Sequence, residues 1–581
     1  MMHETGSSVS NKSREEVPTY LKCKGDRLNQ AIVGLCGVGF FLFGYDQGVM
    51  GSLLTLPTFR ARFPEIDTVS NPEESYAVMQ GTTIGLYAVG CLVGALSTMY
   101  IGDKFGRVKL IFWGCVVIII GGVLQAAATG TIFLIVARII SGVGNGILTA
   151  TVPLYAAECS KASSRGKSLC IQGALITLGI CVSYWIDFAF YFTEQFGEVS
   201  WRFPIAFQLI FPLGITFFGY SFPESPRWLV GQKRYEEAAS VFAALYDTVP
   251  SDEFVQNLIA DIKASLRAEQ SAGGGSSFNL RALFKQGERK NFQRVNLAGW
   301  SQVMQQICGI NLIAYYAGTI FEEYIGQGPM ESRLLAACNG LEFFLASLIP
   351  IWVIERVGRR PLFLFGSAGC CLSMLFLTVS MEMAHQGHDG GQIGAAFLLF
   401  AFNTFFGMSL LSLTWLYPPE VSSLEVRAPT TAISTACNWG FNFLVVMITP
   451  ICFNRIDHYT YLIFAGINFC MIPVFYFLYP ETKGRSLEEV DLIFAQTPSW
   501  KPWKAVEIAR KLPLRHETAA TDLENLKLYD EKPYSDTDEN STEAVRENHR
   551  EGRLLKQDAD EKHAAEEECE TIKKPETSER N

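Results

Sequence analysis

The chain has 581 residues, 49% hydrophobic and 18% charged, below the roughly 25% charged that soluble domains carry. Its formal charge is −10, but the stretch from Lys501 onward holds 15 Lys plus Arg against 21 Asp plus Glu, net −6. The acidity therefore describes a tail and not a ligand preference, and the charge-poor remainder excludes an ordinary soluble domain or a basic nucleic-acid-binding surface.

Taken in chain order, residues 1–28 are polar, with no cleavable signal pattern, so the first apolar run is expected to act as an uncleaved targeting segment. Apolar runs of about 20 residues cross a bilayer as helices. Twelve are read, near 30–50, 78–100, 109–128, 131–152, 168–190, 203–222, 294–321, 333–354, 361–381, 393–416, 430–452 and 461–479. The expected fold is an all-α membrane protein with twelve transmembrane helices in two six-helix halves, 29–222 and 292–480. A linker over 223–291, with short helices and a Gly273-Gly-Gly-Ser-Ser277 stretch, joins the halves. An acidic tail over 481–581 is expected to be mostly disordered.

The halves repeat each other. Asp103-Lys-Phe-Gly-Arg107 recurs as Glu355-Arg-Val-Gly-Arg359, Glu158 with Arg165 as Glu420 with Arg427, and Pro223-Glu-Ser225 as Pro480-Glu-Thr482. Parallel repeats of this kind place a substrate site between the halves near the bilayer midplane. The acids and arginines Asp103, Arg107, Glu158, Arg165, Glu355, Arg359, Glu420 and Arg427 are expected to form a latch, closed in one conformation and broken in the other. Loops after spans 2, 4, 8 and 10 hold ten Lys or Arg, among them Lys104, Lys161, Arg356 and Arg360, against five in the opposite set: Arg60, Arg62, Arg202, Arg333 and Arg455. That bias puts the latch and both termini in the cytosol.

Fifteen cysteines lie mostly inside apolar runs, where a thiol behaves as a small hydrophobe, and no CxxC pairing points to a metal. No nucleophile or phosphate-binding constellation argues for an enzyme. Neither a metal nor a cofactor is expected.

The motifs Gly102-Asp-Lys-Phe-Gly-Arg107, Pro223-Glu-Ser-Pro-Arg227, Gln305-Gln306 with Gly309 and Asn311, Glu355-Arg-Val-Gly-Arg-Arg360 and Pro480-Glu-Thr-Lys-Gly-Arg485 occur in order at span ends. Over residues 30–495 the chain resembles the sugar transporter family of the major facilitator superfamily. Tyr184-Trp-Ile-Asp187, Ser200-Trp-Arg-Phe-Pro204 and Tyr417-Pro-Pro-Glu420 resemble its fungal branch of monosaccharide and polyol–proton symporters.

A sugar or polyol presents hydroxyls that both donate and accept, so its site wants amides that do the same, with an aromatic face for its C–H surface. The seventh span offers Gln305, Gln306 and Asn311. On an ideal helix they point apart, so convergence requires a break, which Gly309 is placed to allow. The eleventh offers Asn438 and Asn442 on one face, and the tenth Trp415. The resemblance implies that these groups meet the substrate and that Tyr315 and Tyr316 form an outer gate. It also marks two departures. Gly173 stands where many sugar carriers have Gln, with Gln172 beside it as the candidate contact, and Phe343 replaces a familiar polar residue on span 8.

Asp46 lies about 24 Å along the first span and Arg138 about 10 Å inside the outer end of the fourth, at 1.5 Å per residue, so both are expected at similar depth and paired. A buried acid whose partner moves can take a proton on one side and release it on the other. The resemblance implies the same coupling role.

The reading is an alternating-access carrier of a monosaccharide, hexose or pentose, driven by protons. It works as a monomer in the plasma membrane, and its partners are a small neutral polyhydroxy substrate, protons and the lipid bilayer. Its alternatives are a glycerol or other polyol symporter and a non-transporting sugar sensor.

Overall fold

The computed structural model describes residues 17–512, apart from 72, 161–164, 272–282, 285, 288, 424–425 and 486. Among the described residues there is no β-strand, only an isolated bridge between Tyr20 and Cys23. The spanning helices of the first half are α1 (Asp26–Leu53), α2 (Glu74–Phe105), α3 (Arg107–Ala126), α4 (Thr131–Cys159), α5 (Arg165–Tyr191) and α6 (Val199–Gly219). The second half holds α7, described below, then α8 (Pro329–Val357), α9 (Arg359–His385), α10 (Gly390–Val421), α11 (Arg427–Ile456) and α12 (Tyr459–Leu478).

Eleven of these are long and apolar enough to cross a membrane. The twelfth, α7, runs as Asn291–Gln305, a π-helical turn Gln306–Ile310, Asn311–Thr319 and a second π-turn Ile320–Tyr324. It crosses in broken pieces. Large apolar side chains such as Phe217, Ile132, Ile393 and Phe397 point outward with 69–79% of their surface exposed, a belt that only lipid would cover without cost.

The halves meet chiefly through three helix pairs: α2 with α11, α5 with α8 and α1 with α7. Exchanging the halves turns the first pair into the second and leaves the third unchanged, as a pseudo-twofold axis requires. Small residues let these backbones approach, as is usual between helices in lipid. A Cβ at Gly318 of α7 would meet the Gly51 carbonyl of α1 at 2.8 Å, and one at Gly81 of α2 the Met447 carbonyl of α11 at 2.7 Å.

The linker forms helices Pro226–Gly231, Tyr235–Tyr246 and Glu253–Ser271. It docks on the start of α1, where Asn29 Nδ2 donates to the Leu245 carbonyl at 3.2 Å. The Gly273–Ser277 stretch lies outside the described residues, as does 513–581. The segment expected as a tail opens with helices Leu487–Ala495 and Lys504–Lys511. Apolar Ile493 and Phe494 are buried there, and Asp491 pairs with buried Arg294 at the start of α7, so the packed fold extends past 481.

Candidate functional site

At the edge where α3 and α9 begin, the repeated motifs build two copies of one structure. Gly106 and Gly358 sit at φ 87° and 102°, where a side chain is strained, and a Cβ at either would strike a carboxylate oxygen at 2.6 Å. Those carboxylates are Glu224 and Glu481 of the Pro-Glu-Ser and Pro-Glu-Thr motifs. Glu224 accepts from the backbone N–H of Arg107 and Val108, and Glu481 from those of Arg359 and Arg360. Each thereby caps the positive end of a helix dipole. Burial pushes the Glu224 carboxyl above the ordinary glutamate range, and the bonds from Ser225, Arg107 and Val108 oppose it.

Beside each cap an arginine grips a glutamate with both nitrogens. Arg107 donates to Glu158 at 3.1 and 3.2 Å, and Arg359 to Glu420 at 2.8 and 3.2 Å and to Glu355 at 3.0 Å. The ion pairs seen here run within each half. Between halves, Gly166 of α5 faces Glu355, whose carboxylate a Cβ there would meet at 2.7 Å. Arg427 is half-buried at the start of α11. The side chains of Asp103 and Arg165 lie outside the described residues.

Midway along the halves lies a small chamber lined by residues of both. The break in α7 makes its polar wall. Gly309 takes φ 106° inside the π-turn, which rotates the two turns of α7 so that Gln305, Gln306 and Asn311 face one space. A chain of amides follows. Gln47 of α1 donates to Asn311 Oδ1 at 3.2 Å, Asn311 Nδ2 donates to Gln306 Oε1 at 2.5 Å, and Asn442 donates to both of those oxygens at 3.1 and 3.3 Å. Gln306 donates to Gln305 Oε1 at 3.3 Å. Asn438 donates to Gln305 Oε1 at 2.9 Å and to Gln302 Oε1 at 2.6 Å. Trp415, Phe43, Phe343 and Phe406 supply aromatic faces, and Ile176 and Ile180 the apolar floor. No charged side chain is among the lining residues.

Gln172 does not line the chamber. It shares a helix row with Ile176 and Ile180 but sits one turn nearer the Gly-Arg edge, 1% exposed, and its amide has no hydrogen-bond partner. Gly173 faces Ser412 of α10, whose Oγ a Cβ would meet at 2.8 Å, so the two helices close over the position where a Gln would reach inward.

Asp46 and Arg138 are 2% and 0% exposed. Arg138 is the charged neighbour of Asp46, but Asp46 Oδ1 and Arg138 Nε and Nη1 have no hydrogen-bond partner, so the two are not in direct contact. Tyr87 and Ser141 are the other polar groups beside Asp46, and the guanidinium lies 5.1 Å from the Tyr87 ring centroid, bonding the Ile84 carbonyl at 3.5 Å. The expected direct pair is thus a spaced one. Tyr315 stands between this group and Asn442, and Tyr316 donates to the Val446 carbonyl of α11 at 2.9 Å. Both tyrosines are buried.

Residues that sequence reasoning missed complete the picture. Gln302 is spaced three and four residues from Gln305 and Gln306, a same-face signal that was available. Gln47 follows Asp46 directly. On the far side of the chamber a seam closes the halves: Arg333 of α8 donates to Thr55 at 2.9 Å and to Glu322 at 3.2 Å, Asp187 of α5 has Arg333 as its charged neighbour, and Arg455 pairs with Glu74 at 2.7 Å. Contacts between distant segments leave no local pattern.

Two six-helix halves around an amide-lined central chamber define a membrane carrier of the major facilitator fold. A family profile described as "Sugar (and other) transporter" matches residues 32–494. The chain belongs to that family. It is 38% identical to Sugar transporter STL1 of Saccharomyces cerevisiae over 497 residues, 84% of this chain and 86% of that protein. It is 35% identical to MFS-type transporter oryC of Aspergillus oryzae, covering 87% and 92%. Among solved structures, the proton:xylose symporter XylE bound to 6-bromo-6-deoxy-D-glucose matches with TM-score 0.69 at 22% identity, over 81% of this chain and all of that one.

Proposed function

We propose that the protein carries a monosaccharide, a hexose or pentose, across the plasma membrane together with a proton, by alternating access. The observation that carries the reading is the seven-amide chain around a chamber with aromatic walls and no charged lining residue. Amides that donate and accept suit hydroxyls, and the absence of charge in the wall disfavours an ionic substrate, whose burial without a partner is costly. Gln305, Gln306, Asn311, Asn438 and Asn442 hold the hydroxyls, and Trp415 packs on the ring. Gln47 and Gln302 join them.

Asp46 carries the proton and Arg138 tunes it through the spaced arrangement with Tyr87 and Ser141. Tyr315 lies close to both Asp46 and Asn442, so the proton group and the substrate amides flank one side chain. Tyr315 and Tyr316 close the outer side with the Arg333 seam. The Gly-Arg edge, with Arg107, Glu158, Arg359, Glu355 and Glu420, is cytosolic, as are both termini. It keeps each half rigid as the halves rock. The protein works as a single chain and performs no covalent chemistry.

Uptake of labelled hexoses, pentoses and glycerol in a transport-deficient cell tests this. Saturable uptake of a hexose or pentose, raised by an inward proton gradient, is expected. Uptake of glycerol alone assigns a polyol carrier, and no flux with the protein at the surface overturns the carrier reading.

A further inference from the structure

On the face opposite the Gly-Arg edge, the C-terminal end of α9 meets the turn between α11 and α12. Asp457 Oδ2 lies 3.6 Å from His385 Nδ1 and 3.5 Å from His458 Nδ1. One donor atom from each of the three residues lies within 4.8 Å of the others. A tetrahedral ion with bonds of about 2.0–2.1 Å sets its ligand atoms roughly 3.3–3.4 Å apart. Two edges of such a site are therefore close to the required length.

The surroundings fit the same chemistry. His458 Nε2 lies 3.0 Å from Glu382 Oε2. With an ion between Nδ1 and Asp457, that carboxylate stands where it would take up the Nε2 proton, the arrangement that orients metal-bound imidazoles. The His458 side chain is 6% exposed, whereas His385 and Asp457 are 41% and 44% exposed. The trio is thus walled on one side and open to solvent on the other, which leaves room for a fourth ligand. Asp457 itself holds φ 47°, ψ −133°, a conformation that non-glycine residues rarely adopt. That strained turn brings its carboxylate between the two rings.

We propose that His385, Asp457 and His458 form a binding site for one divalent transition-metal ion of the zinc class, with Glu382 holding His458 from behind. Two imidazoles and a carboxylate suit zinc. Calcium and magnesium prefer all-oxygen shells. The bound ion ties the end of α9 to the turn that leads out of α11, the helix bearing Asn438 and Asn442. Sequence spacing does not show the site, because its ligands come from the end of α9 and from the turn before α12, far apart in the chain.

The test is titration of Zn²⁺ alone into the tag-free full-length protein, purified in detergent and stripped with a chelator, against a competing zinc-responsive dye. Wild type should bind one ion that excess Mg²⁺ does not displace. His385→Gln and His458→Gln should each lose it by tenfold or more, and Glu382→Gln should weaken it by roughly 10–100-fold, the usual effect of a supporting carboxylate. His385 is partly exposed, so its variant should fold and report even where His458→Gln does not, with the melting temperature of the zinc-free protein as the check. Equal Zn²⁺ affinity in wild type and His385→Gln, or no binding by wild type, overturns the site.

Discussion

In the first half Glu224 caps α3 and Arg107 grips Glu158; in the second, Glu481 caps α9 and Arg359 grips Glu420. At the chamber the halves part company. α1 runs unbroken through Asp26–Leu53 and brings one amide, Gln47, and one buried acid, Asp46. Its counterpart α7 breaks at Gly309 and brings Gln302, Gln305, Gln306 and Asn311, and α11 adds Asn438 and Asn442. In the proposed cycle the duplicated parts keep both halves rigid as they turn. The diverged parts suit the proposed division of labour, with the ligand held by the second half and the proton carried by the first.

Asp46→Asn should break that division most severely. Asn keeps the size but cannot titrate, so accumulation against a gradient should be abolished and the pH dependence of uptake flattened, while counterflow exchange survives. Accumulation at the wild-type level would remove Asp46 from the coupling. On the binding side, Asn311→Ala leaves Gln47, Gln306 and Asn442 short of a partner. The expected loss is about 1–3 kcal/mol of substrate affinity, measured by binding to purified protein, with surface abundance unchanged.

Gly309→Ala asks whether the break in α7 is what separates it from α1. The new methyl strains a φ of 106° and meets Met374 Cε at 2.9 Å and the Phe464 ring at 3.2 Å. The amides should swing out of register, with weaker binding and a melting temperature lowered by a destabilisation of about 1–3 kcal/mol. The smallest effect is expected at the shared Gly-Arg edge. Glu158→Gln should slow turnover several-fold and leave substrate affinity intact, since Glu158 sits far from the chamber. An affinity loss at normal turnover contradicts that assignment.

Individual residues show how much was legible. Gln305, Gln306, Asn311, Trp415, Asn438 and Asn442, named from side-chain chemistry and the family resemblance, all line the chamber, and the break falls at Gly309. Gln172 fails because a residue's helix face does not fix its height: one turn separates it from the wall at Ile176. Asp46 and Arg138 were placed at a common depth by counting rise per residue, yet their separation depends on Tyr87 of α2 and on Ser141, one turn along α4 from Arg138.

The sequence by itself determined twelve apolar spans, their division into related halves and the residue types that meet in the middle. Hydrophobic length and repetition are properties of the chain, readable without knowing any contact. Tertiary structure alone decided which acid caps which helix, that Gln47 crosses from the first half to complete the amide chain, and that His385 and His458 close on Asp457. Each of those depends on how helices distant in sequence pack. A period of 3.6 residues tells which side of a helix is buried, but not which neighbour it is buried against.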